Sequence, residues 1–183
     1  GFYKEVRGEK LLTFNPGVLM GGTFINFDKS KSEANVYGKT NVVAQIARVD
    51  GGLRFISEDQ KQRAREKMKE IVEQGLPNTS ATISFEDSYP AMKPTEGNIK
   101  LLKLFSDVSV ALNQGEVKAY DPLKRGAADI SFVAKYVDGI DGIGAMGKGA
   151  HTENETVNLN TFVDITIRTA IFISGTGSNL KSI

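Results

Sequence analysis

The sequence predicts an α/β protein whose first part is an antiparallel sheet with a covering helix (an α+β arrangement). Three observations predict this class. Residues 79–87 alternate strictly between apolar and polar side chains, which is typical of a strand with one solvated face. Residues 57–75 have the N-terminal capping residues, the apolar stripe and the C-terminal stop residues of an amphipathic helix. Beyond residue 96, predicted strands and helices alternate, which indicates a parallel-type α/β layer.

The first elements along the chain are predicted strands that carry glycine pairs. Residues 11–26 have β-rich ends around Gly21 and Gly22, which predicts strands meeting at a turn or bulge. Residues 28–40 are polar and are predicted as turn. Residues 41–55 are apolar and β-branched and contain the second glycine pair, so they predict another strand.

The helix signal at 57–75 is the clearest in the sequence. Ser57 and Gln60 have the spacing of a capping box, in which each side chain serves a free backbone N–H at the start of a helix. Gly75 follows the last turn and Pro77 prevents continuation. The stripe that would face the sheet comprises Ala64, Met68, Ile71 and Val72.

A linker is predicted at residues 88–98, because this stretch holds two prolines and a glycine. It separates a first domain, 1–90, from a second, 91–183.

The second domain is predicted to alternate helix and strand. Its helices are expected at 97–112, 125–136 and 159–173, the last from its length of about 15 residues despite its β-branched content. Strands are expected at 116–121 and 138–147.

Composition excludes several classes of protein. The formal net charge is +1 and no basic block occurs, so nucleic acid is not a predicted partner. No uninterrupted apolar stretch of about 18 residues occurs, so no membrane span is predicted. The chain has no cysteine, which excludes thiolate chemistry and leaves a cytoplasmic or a periplasmic or secreted location equally open. The N-terminus lacks the apolar core of a signal peptide. Gly1 in place of Met indicates an internal start, a processed end or a tag remnant, and we expect a piece of a longer protein.

His151 is the only histidine in the 183 residues, and it follows a glycine-rich segment. A neutral imidazole binds zinc and titrates near neutral pH, so a metal ligand or a general base is one interpretation. The other is a solvated loop histidine. Its position after a predicted strand favours a site, since α/β folds place sites there. Glu153 and Glu155 lie close by, although they serve equally well to cap the next helix.

Two further groups of residues are candidates for ligand binding. Gly126, Ala127 and Ala128 would let a backbone approach a ligand at a helix N-terminus, or they would simply form a tight helix entry whose first-turn amides Asp129 satisfies. Asn41 and Arg54 stand at the two ends of one predicted strand segment. Arginine holds a carboxylate bidentately and asparagine polarises a carbonyl, while the alternative is a turn asparagine and a surface arginine.

Taken in chain order, these stretches resemble the C-terminal half of the two-zinc exopeptidase family, which includes glutamate carboxypeptidase, aminoacylase, acetylornithine deacetylase and succinyl-diaminopimelate desuccinylase. The resemblance covers nearly the whole chain. Within the family, the sequence is most similar to the glutamate-carboxypeptidase-like branch. Its most specific part is GAHTENE followed by an apolar helix, with RGAAD upstream. The other matching stretches are NPGVLMGGTFIN, TNVVAQIARVDGGLRF, SEDQKQRAREKMKEIV and PTEGN.

The resemblance implies a role for each candidate residue. His151 matches a histidine that binds one of the two zinc ions. Arg54 matches the arginine of the family's lid, or dimerisation, domain that grips the substrate's free carboxylate, and Asn41 matches the lid asparagine that helps to hold the substrate. The turn at 126–128 matches the small residues that line the substrate pocket. The family fold implies an incomplete lid at 1–90 and the C-terminal part of an α/β zinc-exopeptidase domain at 91–183.

The same resemblance implies that most of the metal site is missing from this chain. The family's His-x-Asp motif needs a second histidine, which the chain lacks. A catalytic zinc site takes three protein ligands and a water, and a two-metal site takes more. We therefore expect part of a zinc-dependent amide hydrolase, acting on a peptide or N-acyl amino acid, homodimeric through its lid and inactive alone. The alternative is a non-catalytic dimerisation or ligand-binding module.

Overall fold

The computed structural model describes residues 1–124 and 126–175. The chain divides into two compact units, Gly1–Phe85 and Glu86–Ile183, and the boundary expected at 90/91 lies a few residues later. Helices and small antiparallel sheets make up both units, so the mixed α+β character is confirmed. None of the helices within the described residues is long and apolar enough to cross a membrane.

The first unit is built on two antiparallel strand pairs that follow a short helix α1 (Phe2–Glu5). Strand β1 (Thr13–Gly22) pairs with β4 (Ile46–Arg54), and β2 (Phe24–Asp28) pairs with β3 (Glu33–Tyr37). The strands predicted in 11–26 and 41–55 are confirmed, with a register shift between Pro16 and Val18. The prediction of turn throughout 28–40 is wrong, because five of its residues form β3.

Helix α2 (Glu58–Gln74) confirms the predicted capped helix. The Ser57 hydroxyl accepts a hydrogen bond from the Gln60 N–H at 3.2 Å. The Gln60 side-chain oxygen accepts in turn from the Ile56 N–H at 2.9 Å, one residue earlier than the usual capping box. Gly75 ends the helix at φ 52°, a conformation that favours glycine.

The core of the first unit lies between α2 and one end of the β1–β4 sheet. Phe14 and Leu53, a cross-strand pair, pack against it. Leu19 and Val49, paired farther along the same sheet, are 76% and 56% exposed. The buried members of this core are Val6, Leu12, Ala64 and Met68.

The prediction of a strand at 79–87 is wrong, because this segment is not paired in any sheet of the described residues. Ile83 and Phe85 pack half-buried against the core while Thr82 and Ser84 are exposed, so the predicted alternation of burial is present. No strand of the described chain pairs with this segment. Alternation fixes which side chains turn inward, but a ladder also requires a neighbouring backbone.

The second unit is centred on helices α3 (Glu96–Ala111) and α4 (Thr161–Gly175), which confirm two of the predicted helices. Phe105 is 1% exposed and meets Phe172 edge to face, with ring centroids 5.3 Å apart. Strands β5 (Gly147–Lys148) and β6 (Thr156–Val157) form a small antiparallel hairpin.

The remaining predictions for the second unit are wrong in detail. No strand is found at 116–121, and 138–147 contributes only the start of β5. The helix predicted at 125–136 is a 3₁₀ turn, Asp129–Phe132, and Arg125 lies outside the described residues. Val117, Ile140 and Ile143 instead pack onto the Phe105 core as side chains of unpaired segments. No parallel strand pair occurs within the described part of the chain.

Candidate functional site

His151 lies in the seven-residue loop that joins β5 to β6. Gly147 pairs with Val157 and Lys148 with Thr156, so the hairpin closes immediately before and after this loop. Gly149 adopts φ 71°, and a Cβ there would lie 2.9 Å from the Asn154 carbonyl oxygen. Glycine is therefore required at this position for both its backbone angle and its close contact.

Hydrogen bonds within the loop hold its shape. The Thr152 hydroxyl donates to the Gly149 carbonyl at 2.7 Å, and the Thr152 N–H donates to the same oxygen at 3.0 Å. The Glu155 N–H donates to the Thr152 carbonyl at 3.1 Å. The loop is thus two successive turns, each closed by its own backbone bond.

The backbone of His151 is in the left-handed region at φ 63°, which is uncommon for a residue with a side chain. Its N–H donates to the Glu155 carboxylate, Oε2, at 3.2 Å. The residue is exposed, and no hydrogen bond or ion pair engages the imidazole within residues 1–124 and 126–175. Glu155 therefore supports the His151 backbone and leaves the imidazole open to a ligand.

The described residues do not form a complete metal site. No group of three or more histidine, aspartate or glutamate side chains in the described ranges is placed to hold a metal ion. Zinc in a protein is held by at least three protein ligands. His151 is therefore not part of a three-ligand site formed by the described residues.

The turn at 126–128 differs from the predicted helix entry. A Cβ at Gly126 would meet open space, so packing does not require glycine there. Ala128 precedes the 3₁₀ turn, whose four residues are too short to present a helix N-terminus. The prediction of an anion-binding helix start at this turn is wrong.

Asp129 has a different partner from the first-turn amides expected of it. Its Oδ1 accepts a hydrogen bond from the Tyr89 hydroxyl at 3.1 Å. This bond, and then the negative charge of Asp129, raise the pKa of Tyr89. The Tyr89 ring also contacts Phe132, with centroids 5.2 Å apart, so Asp129 fixes a residue of the linker.

Asn41 and Arg54 are not brought together. Asn41 lies in an exposed turn closed by a 3.2 Å bond from the Val42 N–H to the Lys39 carbonyl, before β4 begins. Arg54 ends β4 opposite Thr13. At about 3.3 Å per residue, the eight steps from Ile46 to Arg54 separate the strand ends by about 26 Å. A ligand of amino-acid size therefore contacts one of the two residues and not both in this conformation.

Two open concavities lie near the candidate residues. One of about 400 Å³ adjoins the His151 loop and is lined by Lys148, Glu155 and Thr156 among small residues. The other, of about 260 Å³, adjoins the Asn41 turn, and its lining includes three glycines, Lys39 and Thr40. Sequence analysis missed Lys148 and Thr156, because strands of two residues carry no periodic signal; the lysine between Gly147 and Gly149 was the available clue.

No protein-family model, curated protein or solved structure matches the chain. Its function must therefore be inferred from the residues themselves and from the sequence resemblance.

Proposed function

We propose that this chain is part of a zinc-dependent amide hydrolase, an exopeptidase of the carboxypeptidase type or an N-acyl-amino-acid deacylase, and that His151 is one of its metal ligands. The observation that carries the proposal is the presentation of His151. Its imidazole has no partner in the described chain, while its backbone is held at a left-handed angle by Glu155. A solvated loop histidine needs no such support, whereas a metal ligand needs a fixed orientation.

The other metal ligands belong, on this proposal, to polypeptide outside these 183 residues. The chain holds a single histidine, and zinc requires further ligands. We therefore expect the chain to be inactive alone. Arg54 is the residue that we propose takes the substrate's free carboxylate, because Asn41 lies before the opposite end of β4 and does not reach the same small ligand.

The first unit is proposed to be the dimerisation domain of this enzyme. Leu19 and Val49 form an exposed apolar pair on the face that α2 covers only in part. Residues 80–85 pair with no strand of the described chain, so this extended stretch is a candidate for pairing with a strand of another chain. The same features suit the second candidate function, a non-catalytic dimerisation or ligand-binding module in which His151 has no metal.

Zinc titration of the isolated chain tests the proposal. We expect affinity weaker than micromolar, NMR shifts centred on 147–157, loss of those shifts in His151→Ala, and no hydrolysis of N-acyl amino acids. Glu153→Gln is the matched control, because it changes a neighbouring acid in the same loop. If zinc still causes the same NMR shifts in His151→Ala, His151 is not a zinc ligand. Sub-micromolar zinc affinity together with turnover would refute the claim that this chain holds only part of the zinc site.

The complete coding sequence separates the two candidate functions. A His-x-Asp motif with a pair of glutamates elsewhere in the reading frame supports the hydrolase. A complete frame without them supports the non-catalytic module.

A further inference from the structure

The chain contains three Asp–Gly bonds, at 50–51, 138–139 and 141–142. In this dipeptide the glycine nitrogen can attack the aspartate side-chain carboxyl, because glycine has no side chain to hinder the approach. The product is a five-membered succinimide, and its hydrolysis can leave the main chain running through the side-chain carbon as isoaspartate. Ring closure requires the backbone to change conformation, so the fold decides which of the three bonds reacts.

Strand pairing restrains the bond at 50–51. Asp50 lies within β4, and Gly51 is in register with Pro16 of β1. The Arg48 side chain donates from its Nε to the Asp50 carboxylate at 2.6 Å. Ring closure here would have to disturb both the strand pairing and this ion pair.

Hydrogen bonds restrain the bond at 138–139. The Thr95 hydroxyl donates to the Asp138 carboxylate at 2.9 Å. The Gly139 N–H donates to the Asn98 side-chain oxygen, also at 2.9 Å. Both reacting groups, the carboxyl and the nitrogen, are therefore held by helix α3 or its cap.

The bond at 141–142 differs from the other two in its nitrogen. Asp141 and Gly142 are exposed and lie outside any helix or strand. Gly142 adopts φ 73°, and a Cβ there would meet open space. Within residues 1–124 and 126–175, no hydrogen bond engages the Gly142 N–H. This nitrogen can therefore attack without first leaving an acceptor in the described chain.

The flanking residues connect this bond to the core of the second unit. Ile140 precedes it and Ile143 follows it, and both pack against the core that contains Phe105. Isoaspartate adds one carbon atom to the main chain between these two isoleucines. Because packed cores tolerate small displacements poorly, the longer chain would disturb at least one of the two contacts.

We propose that Asp141–Gly142 is the site at which the folded chain spontaneously forms isoaspartate, and that this change weakens the core of the second unit. The Gly142 nitrogen bonds to the Asp141 side-chain carbon, and the carboxyl hydroxyl leaves with the amide proton as water. Water then adds to the main-chain carbonyl of the succinimide, and its bond to the Gly142 nitrogen breaks. The product has the same mass as the original chain. The inference concerns the second unit alone and does not depend on the proposed function.

The test incubates the 183-residue chain at physiological temperature and mildly acidic pH, where part of the carboxyl is protonated and can leave as water. Digestion with a protease that cuts before aspartate and not before isoaspartate locates the product by mass spectrometry. We expect about three- to tenfold more isoaspartate at Asp141 than at Asp50 or Asp138, the factor that one net hydrogen bond represents. In concentrated urea, where the fold is lost, the three sites should convert at similar rates.

Two variants complete the test. Asp141→Glu cannot close the five-membered ring and should abolish the main isoaspartate signal, while Asp50→Glu, the matched control at another Asp–Gly bond, should leave it unchanged. Compared with its own fresh sample, incubated wild type should unfold at a lower urea concentration, and incubated Asp141→Glu should not. Equal conversion at the three sites of the folded chain would overturn the assignment to Asp141. Isoaspartate at Asp141 with unchanged unfolding would overturn its effect on the core.

Discussion

The Glu155 carboxylate accepts a hydrogen bond from the backbone N–H of His151 at 3.2 Å. This contact lies within the β5–β6 loop, and Glu155 also lines the larger concavity. It explains how a residue with a side chain keeps a left-handed backbone, because the carboxylate replaces the backbone acceptor that a regular turn would offer.

Removing this carboxylate should loosen the His151 backbone. We expect Glu155→Ala to speed exchange of the His151 amide hydrogen with water about three- to tenfold, since its acceptor is lost. Glu155→Gln keeps an acceptor oxygen and should remain close to wild type. Water-exchange NMR measures both, and an exchange rate in Glu155→Ala equal to that of wild type would show that the contact does not hold the loop.

The core of the second unit should depend on the Phe105–Phe172 contact. Phe172 is 9% exposed, so Phe172→Ala should lower the free energy of unfolding by about 3 kcal/mol or more. Phe162 lies on the same helix but is 46% exposed, and Phe162→Ala should cost less than about 1 kcal/mol. Urea denaturation followed by circular dichroism compares the two, and equal costs would contradict the assigned core.

The Tyr89–Asp129 bond should make stability depend on pH at the alkaline end. The pKa of Tyr89 is raised in the folded chain because its hydroxyl donates to Asp129. Its contribution is therefore fully present below the unfolded pKa of about 10 and is lost as the pH rises through the higher folded value. The melting temperature of wild type should exceed that of Tyr89→Phe at neutral pH, and the difference should vanish at high pH.

Tyr120→Phe is the control for this comparison, because Tyr120 is exposed and forms no hydrogen bond within the described residues. Thermal unfolding between pH 7 and strongly alkaline pH measures all three proteins. A Tyr89→Phe difference that persists unchanged across the range would show that the hydroxyl bond does not stabilise the fold.

Local signals predicted α2, α3 and α4 but wrongly predicted a helix at 125–136. Ser57, Gln60 and Gly75 act within a few residues of their own positions, and the 3.6-residue stripe of α2 needs no distant partner to be recognised. The same holds for α3, which begins at the Thr95 cap. The apolar side chains of each helix identify the face that packs against a core.

Strands were harder to predict because pairing is non-local. Residues 79–87 alternate between apolar and polar side chains and pair with no strand of the described chain, whereas β3 lies in a largely polar stretch and pairs with β2 through a short turn. The candidate site shows the same contrast between local and non-local information. His151 was identifiable by composition, but Lys148 became a candidate only once β5 placed it opposite Thr156.

The outer surface of α4 should drive self-association. Val163, Ile167 and Ile173 are exposed on one side of this helix, and none of the residues between them on that side is charged. We expect concentration-dependent association by light scattering, which the double change Val163→Lys and Ile167→Lys should reduce by breaking the apolar patch. A wild-type monomer at high concentration would contradict this expectation.

The most direct test of the account is the zinc content of the protein made from the complete reading frame, compared with its His151→Ala variant. If His151 is a metal ligand of an amide hydrolase, the wild-type protein retains a pair of zinc ions per chain and cleaves N-acyl amino acids, while the variant loses zinc and activity together. A full-length protein without zinc, or a His151→Ala variant with unchanged zinc content, would contradict it.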